Sequence, residues 1–101
     1  MLTLDFTFPA ELWRWKGGSW HFATLPTSVS EDIKAFAGGS RRGFGSVKVS
    51  ARIGDTRWNT SIFPSKEHGA FLLPVKAAVR RAEGLEVGQG FEVELVIDPE
   101  L

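Results

Sequence analysis

Two alternating segments, residues 43–53 and 56–63, meet at Gly54-Asp55 and constrain the fold more than any other feature of this sequence. Successive side chains of an extended chain point to opposite faces. Val47, Val49, Ala51 and Ile53 therefore share one side of the first segment, and Lys48, Ser50 and Arg52 share the other. A tight turn at Gly54-Asp55 sets Ala51 opposite Trp58, Val49 opposite Thr60 and Val47 opposite Ile62. The apolar sides coincide without adjustment, whereas a one-residue slip would move all of them to the polar face. The pattern predicts an antiparallel hairpin with one face in a core. The same register puts Arg52 directly opposite Arg57, flanked by Lys48, Ser50, Asn59 and Ser61.

The remaining segments read as further strands and two short helices. Leu2, Leu4, Phe6 and Phe8 alternate with Thr3, Asp5 and Thr7. Beyond Pro9 the large residues change parity to Trp13 and Trp15, which predicts a bulge at Pro9-Ala10 and then a strand with its other side inward. A hairpin turn at Gly17-Gly18 sets Trp15 opposite Trp20, Arg14 opposite His21 and Trp13 opposite Phe22, so four aromatics share one face. Ser28 and Glu31 have capping-box spacing ahead of Val29, Ile33 and Phe36, an amphipathic helix that ends at Gly38-Gly39. Residues 70–73 suit a short buried strand, and Pro74 suits the first turn of a second helix that runs to about Glu83. Gly84 is the expected C-cap, with Leu85 folding back on the helix. Phe91, Val93, Leu95 and Ile97 alternate with Glu92 and Glu94 in a closing strand. No repeat or linker interrupts the chain, and the reading is one mainly β domain over residues 1–101 with two short helices.

Composition narrows the function classes. Twelve basic and twelve acidic residues cancel, so no global field draws the protein to nucleic acid or anionic lipid. The absence of cysteine removes disulfides and thiolate metal sites and fits a reducing cytoplasm. Residues 1–8 carry Asp5 and lack the pattern of a signal peptide, and no apolar run approaches a membrane span. A soluble cytoplasmic protein is expected.

The stretches LWRWKGGSWHFATLP at 12–26, IGDTRWNTSIFP at 53–64 and LPVKAAVRRAEGLEVGQGFEVELVID at 73–98 resemble the DUF1905 family, in order and over nearly the whole chain. The resemblance implies a small double-split β-barrel, similar in outline to AbrB-like and MazE-like barrels, and no known activity. One departure is Gly88-Gln89, where the family pattern usually reads Gly-Asp before the last strand. An Asp there bonds its own backbone neighbours more readily than Gln does, which weakens any turn-based site carried over from the family.

Candidate chemistry is sparse. His21 and His68 are the only histidines and have no metal-ligand spacing, so neither a metal nor another cofactor is expected. Ser46, Ser50 and Ser61 lie in no nucleophile motif, and no catalytic residue is assigned. The Gly/Arg-rich run 38–45 follows a helix and leads into a strand, the wrong order for a phosphate loop, and reads first as a cap and connection. The facing Arg52 and Arg57 repel unless something offsets them. Glu92 and Glu94 on another strand are one offset, and an anionic ligand is the other. Lys76 and Arg80 are i, i+4 neighbours on the second helix, where Arg80 can also reach Glu83 at i+3; they could extend such a basic pocket. The candidate ligand-binding set is Lys48, Arg52, Arg57, Asn59, Ser61, Lys76 and Arg80. Trp13, Trp15, Trp20 and Phe22 form a second candidate patch. Core packing is its first explanation in so small a domain; an open face would stack a planar ligand or a base, or meet another protein.

The leading expectation is a noncatalytic binding module, a monomer or homodimer, for a small anionic or planar ligand. The alternatives are a nucleic-acid-binding barrel, which the neutral charge disfavours, a protein-interaction module and an uncharacterised enzyme.

Overall fold

A computed structural model of the chain describes residues 3–37 and 45–97. Its elements are β1 (Leu4–Arg14), β2 (His21–Thr24), α1 (Thr27–Ala37), β3 (Val47–Ile53), β4 (Thr56–Ser65), β5 (Ala70–Pro74), α2 (Ala77–Glu83) and β6 (Gly90–Ile97). The expectations placed on the run 38–44 lie outside the described residues. Every strand pairing is antiparallel, and the strands close into a barrel in the order β1-β2-β5-β4-β3-β6.

Closure depends on the two longest strands, each of which serves two neighbours. β1 lies against β6 from Leu4 to Glu11 and against β2 from Leu12 to Arg14. β4 lies against β3 from Thr56 to Ile62 and against β5 from Phe63 to Ser65. These two handovers are the splits of a double-split barrel. Each half of the chain runs long strand, short strand, helix, strand, so the topology holds an internal two-fold that the sequence does not announce as a repeat.

The interior is apolar and is filled by alternate residues. β3 contributes Val47, Val49, Ala51 and Ile53; β4 contributes Trp58 and Ile62; β6 contributes Val93, Leu95 and Ile97. The β3–β4 register is the one expected, from Val47↔Ile62 to Ile53↔Thr56. All of β5 is buried, because one face looks into the barrel while α1 packs on the strand from outside. Ser30 of α1 is buried there, and its hydroxyl accepts a hydrogen bond from the Phe71 backbone N–H at 3.0 Å.

Four local expectations are corrected. The pairing of β1 with β6 runs unbroken through Pro9↔Glu92 and Ala10↔Phe91, so there is no bulge and no change of side. Phe8 and Leu12 are buried on one face, and Trp13 and Trp15 stay on the other. Pro9 needs no bulge because β1 has a strand neighbour on one side only at that point. In α1 the Pro26 carbonyl accepts the first helical bond from Ser30 N–H at 2.9 Å, so Ser28 lies inside the first turn and not at the cap. Phe36 is exposed, and Ile33 anchors the helix. Pro74 ends β5 opposite Phe22, and Lys76 is the N-cap of α2.

The end of α2 is as expected. Gly84 adopts φ 64°, its N–H reaches the Arg81 carbonyl, and Leu85 N–H bonds the Arg80 carbonyl at 2.9 Å. Among the described residues no helix is long and apolar enough to cross a membrane.

Candidate ligand-binding cleft

The second split leaves one edge of β4 without a strand partner over Thr56–Ile62, because β5 joins only at Phe63. α2 runs beside that edge, and its far end is fixed by Glu83, whose carboxylate accepts bonds from Thr56 Oγ1 at 2.6 Å and Asp55 N–H at 3.2 Å. Between β4, the start of α2 and the β1–β2 hairpin a cleft of about 790 Å3 remains. That is within the range of small-molecule sites.

Five members of the candidate set converge here: Lys48, Asn59, Ser61, Lys76 and Arg80 line the cleft. Lys48 and Ser61 are direct cross-strand partners. Arg80 is steadied by a bond from Nη1 to the Val75 carbonyl at 3.0 Å, not by Glu83, which is engaged with the β3–β4 turn. Trp58, Phe63, Trp20 and His21 supply aromatic wall. Among the described residues that line the cleft there is no Asp or Glu, so three cations face it without a local carboxylate.

Arg52 and Arg57 lie apart from this cleft. They are direct partners, as the register requires, and the offset is internal: the Arg52 guanidinium forms a two-point ion pair with Glu94, its partner on β6. Its Nη1 also donates to the Gly54 carbonyl at 2.8 Å, which ties the strand to its own turn. Arg57 is exposed and outside the cleft lining.

The four aromatics share a face, and that face is the outside of the barrel. Trp13 pairs with Phe22 at 5.2 Å, Trp15 meets Phe22 edge-on at 6.0 Å, and Trp20 stacks on Phe22 at 5.9 Å and 8°. Trp13 is covered further by His68, stacked at 4.9 Å, and its indole N–H bonds Thr24 Oγ1. Trp15 and Trp20 are 45% and 61% exposed, so core packing does not account for them.

Sequence reasoning missed Ser19, Trp20, His21 and Phe63 as neighbours of the basic residues. Phe63 was accessible to it, since alternation puts residue 63 on the outward side with Asn59 and Ser61. The hairpin tip was not, because nothing local says which strand β2 pairs with.

Catalytic chemistry has little to stand on. The Ser65 hydroxyl contacts His68 Nδ1 at 2.9 Å, but the pair is exposed within one turn and also receives the His68 backbone N–H. Among the described residues no three His, Asp or Glu side chains converge as metal ligands.

Topology and cleft define a class: a small antiparallel double-split barrel with a cationic, aromatic-walled cleft where its second split opens. Within that class the chain belongs to the DUF1905 family, described as a domain of unknown function, whose profile matches residues 8–95. Among curated proteins none matches the chain.

Proposed function

We propose that this barrel is a noncatalytic cytoplasmic binding module for a small anionic or planar ligand, seated in the cleft between β4, α2 and the β1–β2 hairpin. The observation that carries the reading is the convergence of Lys48 from β3 with Lys76 and Arg80 from α2 on a cleft wall with no carboxylate among the described residues. Asn59 and Ser61 stand beside them as neutral hydrogen-bonding groups, suited to the remaining lone pairs of a carboxylate or phosphate. The chain's balanced charge gives no long-range attraction, so recognition is local.

The test is thermal unfolding in inorganic phosphate, pyrophosphate and a panel of carboxylates at constant ionic strength. A ligand at ten times its Kd adds about 1.4 kcal/mol, or about 6 to 11 °C in Tm for a domain of this size. At least one anion should raise Tm, and Lys48→Gln/Lys76→Gln should lose most of the gain. If no anion stabilises the protein, or if the variant gains as much as the wild type, the reading fails. A steep salt-dependent shift on random DNA, without stabilisation by small anions, would favour nucleic acid instead.

A further inference from the structure

We infer that the ligand of this cleft is a planar aromatic anion, with its charge among Lys48, Lys76 and Arg80 and its ring stacked on Trp20. The inference rests on the anion-binding reading above and adds the second half of the ligand. It is carried by two surfaces that the fold sets side by side. Trp20 and Phe63 line the cationic cleft, and both also line an adjoining hollow with Trp15, Phe22 and Leu72, whose walls are almost wholly apolar. A molecule in the cleft therefore touches the apolar hollow through shared walls.

The geometry of Trp20 specifies a ring over a flexible chain. Its indole lies nearly parallel to the Phe22 ring, at 8°, with centroids 5.9 Å apart. Phe22 supports the indole on one side, while Trp20 as a residue is 61% exposed at the mouth of the cleft. A third flat group continues that stack; an aliphatic tail does not use it. An inorganic anion alone would leave Trp20 and Phe63 uncovered, and an uncharged ring would leave the three cations unused. A flat aromatic group bearing a carboxylate, sulfonate or phosphate meets both surfaces at once.

The probes are 8-anilinonaphthalene-1-sulfonate and its uncharged counterpart N-phenyl-1-naphthylamine, titrated by fluorescence against the wild type, Trp20→Ala, Trp15→Ala and Lys48→Gln/Lys76→Gln. All four substituted side chains are exposed, so the variants should fold. The sulfonate should bind about tenfold tighter than the amine, and Trp20→Ala should weaken both by about tenfold, the scale of one lost stacking partner. Trp15→Ala removes a wall of the adjoining hollow but leaves the Trp20 indole in place, and should weaken both probes clearly less than Trp20→Ala does. In Lys48→Gln/Lys76→Gln the gap between the two probes should shrink to about threefold.

Sulfonate binding that weakens with the lysine substitutions but not with Trp20→Ala leaves the anion site standing and overturns the stacked ring. Equal wild-type affinities for the two probes, or no binding of either, overturn the planar anion. In those cases the thermal test with ring-free anions decides separately whether the cleft binds anions at all.

Discussion

Replacing Arg52 by Ala separates a structural arginine from a ligand-binding one. The guanidinium donates through Nε to Glu94 Oε1 at 3.2 Å, through Nη2 to Glu94 Oε2 and through Nη1 to the Gly54 carbonyl at 2.8 Å. The two side chains are 35% and 41% exposed, so solvent screens the ion pair to about 0 to 1 kcal/mol. The bond to Gly54 adds about 0.5 to 1.5 kcal/mol. Removing Arg52 also relieves its repulsion with Arg57, which returns about 0.2 to 1 kcal/mol. The net expectation is a loss of about 1 kcal/mol, a drop of about 4 to 8 °C in Tm. Urea unfolding of wild type, Arg52→Ala, Glu94→Ala and the double variant measures the loss and isolates the coupling, expected at about 0.5 to 1 kcal/mol. The coupling should shrink in 1 M NaCl while the Gly54 part persists. Unchanged or increased stability of Arg52→Ala would refute this reasoning and return the Arg52/Arg57 pair to the list of residues held for a ligand.

Three further substitutions check the packing that positions the cleft. Gly54 has φ 59°, and a Cβ there would fall on the Glu83 carboxylate, so Gly54→Ala should cost about 2 to 4 kcal/mol in urea unfolding, against only about 1 to 2 in a Glu83→Ala background. Equal costs in both backgrounds would mean that Glu83 does not clasp the turn. Ser30→Ala leaves the buried Phe71 N–H without its partner and should lower stability by about 1 to 3 kcal/mol, with faster amide exchange at Phe71; unaltered exchange would place that bond elsewhere. Trp58→Ala removes a side chain that is 8% exposed and should cost about 3 to 5 kcal/mol by denaturant unfolding, whereas a near-neutral result would invert the faces of β4.

How far the sequence reached depends on where its chemistry was unambiguous. The β3–β4 hairpin was legible because both faces spoke together: valines and isoleucine on one side, lysine, serine and arginine on the other. β1 was misread for the opposite reason. Trp13 and Trp15 are the largest residues after Pro9, and size suggested an inward turn, yet the smaller Leu12 is the residue at 1% exposure. Unbroken pairing with β6 decides that parity, and a distant strand cannot be read from local pattern. Lys76 and Arg80 of α2 share a cleft with Lys48 of β3, without Arg52 or Arg57, and for a reason the spacing could not supply. Because β5 takes over from β3 as the neighbour of β4 only at Phe63, a gap opens beside the strand, and α2 and the β1–β2 hairpin border it. Arg52 and Arg57 showed the limit of single-hairpin logic, since the answering carboxylate sits on β6, whose place beside β3 follows from barrel closure.

Amide NMR of the 15N-labelled protein, titrated separately with phosphate, sulfate and benzoate at constant ionic strength, tests the central claim most directly. Anion binding in the cleft predicts saturable shifts at His21, Asn59, Ser61, Lys76 and Ala77, with Gly54 and Glu94 unmoved. Shifts centred on Gly54 and Glu94, or an unsaturable drift spread over the surface, would contradict it.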